Sequence, residues 1–190
     1  SWSAGVFATQ LDDAIVNVTL GAGPGTFPPG VFVPAGGAYR QRQNAGLIEA
    51  SGVEAEAQGV LSDRLNWRAA FAYTHARFDG GSLDSLRPAQ APEWSATAGL
   101  DWRATDSLTL SGAVSYESDR FEDDLNSRVL ESATVLDLRA EQALTDTLSI
   151  YAALDNVLDS DVETAETADG IESFGPPRAV RVGVRLRTGG

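Results

Sequence analysis

The chain has 190 residues, with 27 Asp and Glu against 14 basic side chains and a formal net charge of −13. That balance lacks the basic surface needed to neutralise phosphates, so no nucleic-acid partner is expected. Cysteine is absent, which excludes disulfides, thiolate metal sites and thiol nucleophiles. The length points to one domain. The chain begins at Ser1 and has no Met, so it is expected to be a processed or cut piece, and no signal peptide is visible.

No apolar run approaches the roughly 18 residues of a membrane helix. The informative pattern is a period of two, which in a strand sends successive side chains to opposite faces. Residues 2–11 show it least clearly. Then Val53, Ala55, Ala57 and Leu61 oppose Glu54, Glu56 and Gln58. Leu65, Trp67, Ala69, Phe71 and Tyr73 oppose Asn66, Arg68, Ala70, Ala72 and Thr74. Trp94, Ala96, Ala98, Leu100 and Trp102 oppose Ser95, Thr97, Gly99, Asp101 and Arg103. Leu108, Leu110, Val114 and Tyr116 oppose Thr109, Ser111, Ser115 and Glu117. Leu136, Leu138 and Ala140 oppose Asp137, Arg139 and Glu141, and Leu148, Ile150, Ala152 and Leu154 alternate with Ser149, Tyr151, Ala153 and Asp155. The last segment sets Val180, Val182, Val184 and Leu186 against Arg181, Gly183, Arg185 and Arg187.

These segments make about eight strands, several of them near the 9–11 residues that cross a bilayer. Their connections alternate in kind. Ser62-Asp63-Arg64, Thr105-Asp106-Ser107 and Thr145-Asp146-Thr147 are tight, because Asp, Ser and Thr side chains bond nearby backbone amides. Residues 21–39, 79–92, 121–129 and 158–177 are long connections, and 159–169 could hold a short helix. Short turns at one end and long loops at the other are the asymmetry of outer-membrane barrels. Trp67 and Trp102 fall near the tight turns, while Tyr73, Phe78, Trp94 and Tyr116 fall near the long loops, as two interfacial aromatic girdles would. The expected fold is an all-β, antiparallel up-and-down transmembrane barrel. A soluble barrel or sandwich would also alternate, with its apolar face inside.

Catalytic and metal chemistry find little support. His75 is the only histidine and lacks partners at ligand spacing, so a packing or membrane-interface role is expected. Asp119, Glu122, Asp123 and Asp124 do not follow calcium-loop spacing and read as a solvated loop, as do Asp159, Asp161, Glu163, Glu166 and Asp169. Gly21-Ala22-Gly23-Pro24-Gly25 precedes no helix and reads as a flexible loop. There is no G-x-S-x-G elbow for a hydrolytic serine. The expectation is therefore no enzyme and no cofactor. The candidate functional side chains are Glu54, Glu56, Arg68, Asp101, Arg139, Arg181 and Arg185 on the face expected to line a lumen, joined by Glu117, Asp137, Glu141 and Arg187. The candidate membrane-interface aromatics are Trp67, Tyr73, Trp94, Trp102 and Tyr116.

Ordered motifs add a family. Asn44-Ala45-Gly46 followed by Ser51-Gly52-Val53-Glu54-Ala55-Glu56 is similar to the "NAG…GVE" strand of TonB-dependent receptors. Leu154-Asp155-Asn156-Val157-Leu158-Asp159 resembles that family's "NLFD" element, and Pro176-Pro177-Arg178 its "PR" entry into the last strand. The chain departs from the pattern at Ser160-Asp161-Val162 and at its end, Arg187-Thr188-Gly189-Gly190, where the family carries aromatics. The resemblance implies that residues 1–190 are the C-terminal portion of an outer-membrane barrel of about 22 strands, without its plug domain. It implies uptake of a scarce nutrient such as a siderophore across the outer membrane of a Gram-negative bacterium. The implied partners are outer-membrane lipid, the rest of the barrel and plug, the nutrient, and the TonB energy-transducing complex through an upstream segment. Two other readings stay open at this point. One is a self-contained eight-stranded outer-membrane barrel serving as anchor, adhesin or structural protein; the other is a soluble barrel for a small apolar ligand.

Overall fold

The computed structural model describes residues 1–187; most of the chain ending that departs from the family's aromatic terminus, Thr188-Gly189-Gly190, lies outside them. Strand β1 (Trp2–Leu11) leads into two small hairpins, β2 (Ile15–Ala22) with β5 (Ala38–Asn44), and β3 (Gly25–Phe27) with β4 (Val31–Val33). The long strands β6 (Leu47–Ser62) and β7 (Leu65–Asp79) follow, then a 3-10 turn at Gly81–Leu83. Next come β8 (Trp94–Arg103), β9 (Leu108–Glu117), the short pair β10 (Arg120–Phe121) and β11 (Val129–Leu130), β12 (Ala133–Ala143) and β13 (Leu148–Asp155). A hairpin of β14 (Glu163–Glu166) and β15 (Glu172–Phe174) precedes β16 (Ala179–Leu186).

Eight strands form one antiparallel sheet in the order β1-β6-β7-β8-β9-β12-β13-β16. Each strand lies beside the previous wall strand, as short turns and returning loops require. The register keeps faces separate across the whole sheet. Trp2, Ala57, Ala69, Ala98, Val114 and Leu136 form one row of the apolar face, and Ser3, Glu56, Ala70, Thr97 and Ser115 form the next row of the polar face. One irregularity breaks the predicted alternation: Leu61 sits where the β6 register shifts, and Val60 takes the place opposite Asn66. The bulge turns β6 into its tight turn.

Nothing in the described chain covers the apolar face. Val182 is 78 % exposed and Trp2 80 %. A contiguous apolar surface of this kind belongs against lipid or a partner, not water. The sheet is also open. Among the described residues β1 pairs only with β6 and β16 only with β13. The self-contained eight-stranded barrel, which required the first segment to close on β16, is therefore not what forms. The soluble barrel fails on the same structure, because the described strands enclose no apolar interior.

The buried apolar core sits instead in the long connections. Val18, Ala45, Phe78 and Leu83 pack together, with Val16, Ile48 and Leu86 around them. This corrects Phe78, expected at the membrane rim. It occupies a polar-face position opposite Ile48, and toward the long loops that face turns apolar and seeds the loop core. Two further expectations change. Residues 159–169 form no helix; β14 pairs with β15, and Thr167 Oγ1 accepts the Ile171 N–H at 2.9 Å to close the turn. The glycine-rich stretch is not a loose loop either. Gly23 donates its N–H to the Gly37 carbonyl at 2.9 Å, and a Cβ there would collide with the Pro34 carbonyl, so only glycine fits this crossing.

The candidate functional site, a charged wall beneath interlocked loops

The polar face carries a network built from neighbouring strands. Arg68 Nη1 on β7 meets Asp101 Oδ2 on β8 at 2.7 Å, and Ser111 Oγ on β9 donates to Asp101 Oδ1 at 2.6 Å. Glu141 on β12 gathers Arg139 at 2.9 Å, Arg185 of β16 at 3.1 Å and the Ser149 hydroxyl at 2.8 Å. The Arg139 guanidinium also lies 4.0 Å over the Tyr151 ring. Arg181 pairs with Asp155 on β13, and Asp137 accepts the Asn156 N–H at 2.9 Å. Glu54 and Glu56 stand apart from this network. Glu56 takes the Ser3 hydroxyl at 3.1 Å, and neither carboxylate has a cationic partner among the described residues. Glu117 lies at the loop end of the same face, 3.6 Å from Arg120. The sequence-predicted polar side chains thus share one face, but in two groups, a paired set on β7 to β16 and a bare acidic pair on β6.

The aromatics share the opposite face at two heights. Trp102 lies opposite Leu65 and Leu110, and Trp67 opposite Leu100, near the tight turns. Tyr73 and Trp94 touch at 4.3 Å between ring centroids near the loops, with Tyr116 opposite Ala96. His75 is one step beyond Tyr73 on that face, with Nδ1 3.7 Å from Glu93 Oε1. Among the described residues no group of three or more His, Asp and Glu could hold a metal ion.

The loops are where sequence reasoning fell short. Asp123 and Asp124, expected in solvent, are only 2 % and 6 % exposed. Asp123 accepts the Ser127 hydroxyl at 2.7 Å and the N–H groups of Ser127 and Arg128 at 2.9 and 3.0 Å. Burial pushes its pKa up, but these hydrogen bonds and the Arg128 charge outweigh burial and hold it below the ordinary carboxylate value. Asp124 reaches the first long loop, accepting the Thr19 N–H at 2.7 Å and its hydroxyl at 2.6 Å. Arg87 and Asn126 join the second and third loops reciprocally: the Arg87 N–H donates to Asn126 Oδ1 at 2.7 Å, and Asn126 Nδ2 donates to the Arg87 carbonyl at 2.9 Å. Arg87 also pairs with Asp119 at 3.3 Å and lies 5.0 Å over the Phe121 ring.

The sequence motifs mark corners. Asn44 Oδ1 accepts the Gly46 N–H at 2.8 Å, Ala45 is buried, and Gly46 takes φ 85°, so the first loop turns into β6 there. Asn156, at φ 49°, donates to the Ser160 carbonyl and accepts the Ser160 N–H, both at 2.9 Å, where β13 leaves the wall.

Residues 1–157 match the family described as TonB dependent receptor-like, beta-barrel. The chain belongs to that family. TonB-dependent receptors are outer-membrane receptors and transporters, not enzymes, and the chain is an outer-membrane β-barrel wall. Among its curated relatives, the iron-regulated outer membrane virulence protein of Vibrio cholerae serotype O1 is 27 % identical over 164 residues, covering 84 % of this chain and 25 % of that protein. The ferrioxamine B receptor of Salmonella typhimurium is 33 % identical over 102 residues, covering 50 % of this chain and 14 % of the receptor. Among solved structures, the ferric yersiniabactin uptake receptor FyuA of Yersinia pestis superposes with a TM-score of 0.77 at 18 % identity, over 97 % of this chain and 27 % of that one. The siderophore receptor PiuA of Acinetobacter baumannii gives 0.74 at 16 % identity, over 97 % and 26 %. The chain therefore spans about a quarter of the length of the curated relative that it matches over 84 % of its own.

Proposed function

We propose that residues 1–190 are the C-terminal barrel portion of a TonB-dependent receptor that takes up a ferric siderophore. The observation that carries this reading is the open sheet with a bare apolar face, which superposes over 97 % of its length on about a quarter of a siderophore receptor. Such a sheet is stable only with lipid on one side and further strands at both borders. The plug and the segment that engages TonB would then belong to the parent polypeptide outside this sequence. Relatives named for ferrioxamine B and yersiniabactin support an iron-chelate cargo.

In this reading the apolar face meets lipid. The stretch from Leu65 to Tyr73 covers roughly 26 Å along the strand at about 3.3 Å per residue; tilted by about 40° it rises about 20 Å, most of an apolar band about 25 Å tall. Trp67 and Trp102 sit at the inner interface, and Tyr73, Trp94 and Tyr116 at the outer one. Arg68, Asp101, Arg139, Arg181 and Arg185 line the interior as a cross-strand ladder that stiffens the wall. Glu54 and Glu56 face the same interior with their charge uncompensated by the described residues. The test expresses the parent receptor in cells lacking their own ferric-siderophore receptors and follows radioactive iron supplied on a panel of siderophores. Uptake that needs TonB is expected for at least one. A surface-exposed receptor that imports none of them overturns the reading.

A further inference from the structure

The four long connections between wall strands, residues 12–46, 80–93, 118–132 and 156–178, carry fifteen acids against six bases. Nine of the chain's thirteen net negative charges therefore lie at the loop end. The two signs are also placed differently. The side chains of Arg87, Arg120 and Arg128 are only 13 %, 10 % and 14 % exposed, because they bind the loops to one another. Two of them meet the fourth loop, residues 156–178, through its backbone. Arg120 Nη2 donates to the Glu163 carbonyl at 2.7 Å, and Arg128 Nε to the Glu166 carbonyl at 3.0 Å. Arg178, the one base of that loop, is taken by Asp159 at 3.1 Å. Asp161, Asp169 and Glu172 are exposed and have no cationic partner among the described residues. Arg40 and Arg42, exposed on the first loop, are matched in number by the exposed Asp12 and Asp13 at its foot.

The apical part of the first loop is a surface of the opposite kind. Residues 14–39 contain no charged side chain. Their β3–β4 hairpin has a fixed mount: the Phe27 and Tyr39 rings stack at 5.1 Å, and Tyr39 Oη donates to the Pro28 carbonyl at 2.6 Å. Phe27 is thereby turned inward, over Gly21, while Phe32 stays 66 % exposed with Val31 and Leu20 also exposed. This lobe stands among the acidic loops. Thr19 is bound to Asp124 of the third loop, and the Ala168 N–H of the fourth reaches the Gly36 carbonyl at 3.4 Å, with the Asp169 carboxylate beside Gly36.

We propose that the uncharged lobe docks a ferric chelate of zero or positive net charge, a tris-hydroxamate, and that the acidic loops around it turn away tris-catecholates. The proposal rests on the receptor reading above and narrows its cargo. Ferric iron held by three hydroxamate anions is neutral, and an ammonium tail makes the complex a cation. Held by three catecholate dianions, the same iron carries three net negative charges. A field of one sign speeds the encounter with an opposite charge and slows that with a like one. The acids of the third and fourth loops therefore act on the association rate. Phe32, Val31 and Leu20 act on the dissociation rate, because the methylene chains that link hydroxamate groups are apolar and bury against them.

Stopped-flow binding to the purified parent receptor tests this, read by quenching of tryptophan fluorescence. The probes are the ferric complex of a linear tris-hydroxamate with an ammonium tail, the same complex with its tail acetylated, and a ferric tris-catecholate. At low salt the ammonium probe is expected to associate at least about tenfold faster than the catecholate, and the gap closes in about 0.5 M salt. The acetylated probe, being neutral, associates at a rate that salt leaves unchanged. Asp161→Asn, Asp169→Asn and Glu172→Gln combined should slow association of the ammonium probe about threefold and leave its dissociation alone. Phe32→Ser should raise the dissociation rate of both hydroxamates about tenfold and leave association alone. Tighter binding of the catecholate, or an association rate indifferent to the triple variant, overturns the charge selection. Dissociation unmoved by Phe32→Ser overturns the lobe as the docking surface. A receptor that takes the catecholate and ignores both hydroxamates sinks this proposal and leaves the receptor reading standing, whereas one that binds none of the three sinks both.

Discussion

Asp159 holds Arg178 twice: Oδ1 accepts its backbone N–H at 3.2 Å, and Oδ2 meets the guanidinium Nη2 at 3.1 Å. The "NLFD"-like element and the "PR" entry are therefore two halves of one clamp across the foot of the fourth loop. Asp159 adopts φ 55° to make it, a conformation Asp and Asn tolerate best among residues with a side chain. Asp159→Asn is expected to cost under about 1 kcal/mol, since a half-exposed ion pair contributes little. Asp159→Val, β-branched at positive φ, should cost about 2 kcal/mol or more. Urea midpoints of the receptor in lipid vesicles, read by tryptophan fluorescence, measure both. Equal losses would show that the charge and not the backbone matters.

Asn156 is only 4 % exposed and satisfies groups from Ser160 and Asp137 on both sides of the corner. Asn156→Ala should lower stability by about 2–4 kcal/mol, through unpaired buried amides and the positive φ. The same urea titration reads it, with Asn156→Asp expected to retain more than Asn156→Ala.

Thr97 and Ala98 are consecutive but lie on opposite faces of β8. Ala98→Arg should cost about 2–4 kcal/mol in a bilayer, as a charge near the lipid midplane. Thr97→Arg, entering the wet interior, should be tolerated within about 1 kcal/mol. Folding yield into vesicles distinguishes the two, and the reverse order would invert the assignment of faces.

Because its pKa is held below the ordinary value, Asp123 stabilises the third loop above the unfolded value of 3.8, and this contribution is lost as pH falls through the lower folded value. Amide exchange at Ser127 and Arg128 should therefore be slow at pH 5–7 and speed up below about pH 4, beyond the intrinsic pH dependence. Asp123→Asn should remove the protection at every pH. Protection that persists in the Asn variant would mean that backbone packing, not the carboxylate, orders the loop.

The wall was readable from the sequence because its physics is local. A period of two fixes which face Val114 or Arg139 occupies, and Thr105 and Thr145 announce tight turns in which the hydroxyl accepts the N–H groups of Ser107 and Leu108, or of Thr147 and Leu148. The loop contacts were not readable. Arg87 meets Asn126 across 39 residues and Thr19 meets Asp124 across 105, so no spacing rule links them. Asp123 and Asp124 look alike beside Asp119 in a charged run, and only the fold buries two and leaves the third outside. Phe78 misled for a related reason. Its aromatic ring suggested the rim, while its position in the alternation already put it on the other face.

Every wall strand neighbours in space the wall strand that precedes it along the chain. Assembly can therefore run as a zipper, hairpin after hairpin, with little loop-closure entropy at the tight turns and most at residues 12–46. The β6–β7 hairpin, the longest and joined by the shortest turn, is the natural first tooth. On the receptor reading, only the outer borders of β1 and β16 wait for further strands of the same polypeptide, and until those arrive the two open edges are where a foreign strand can compete.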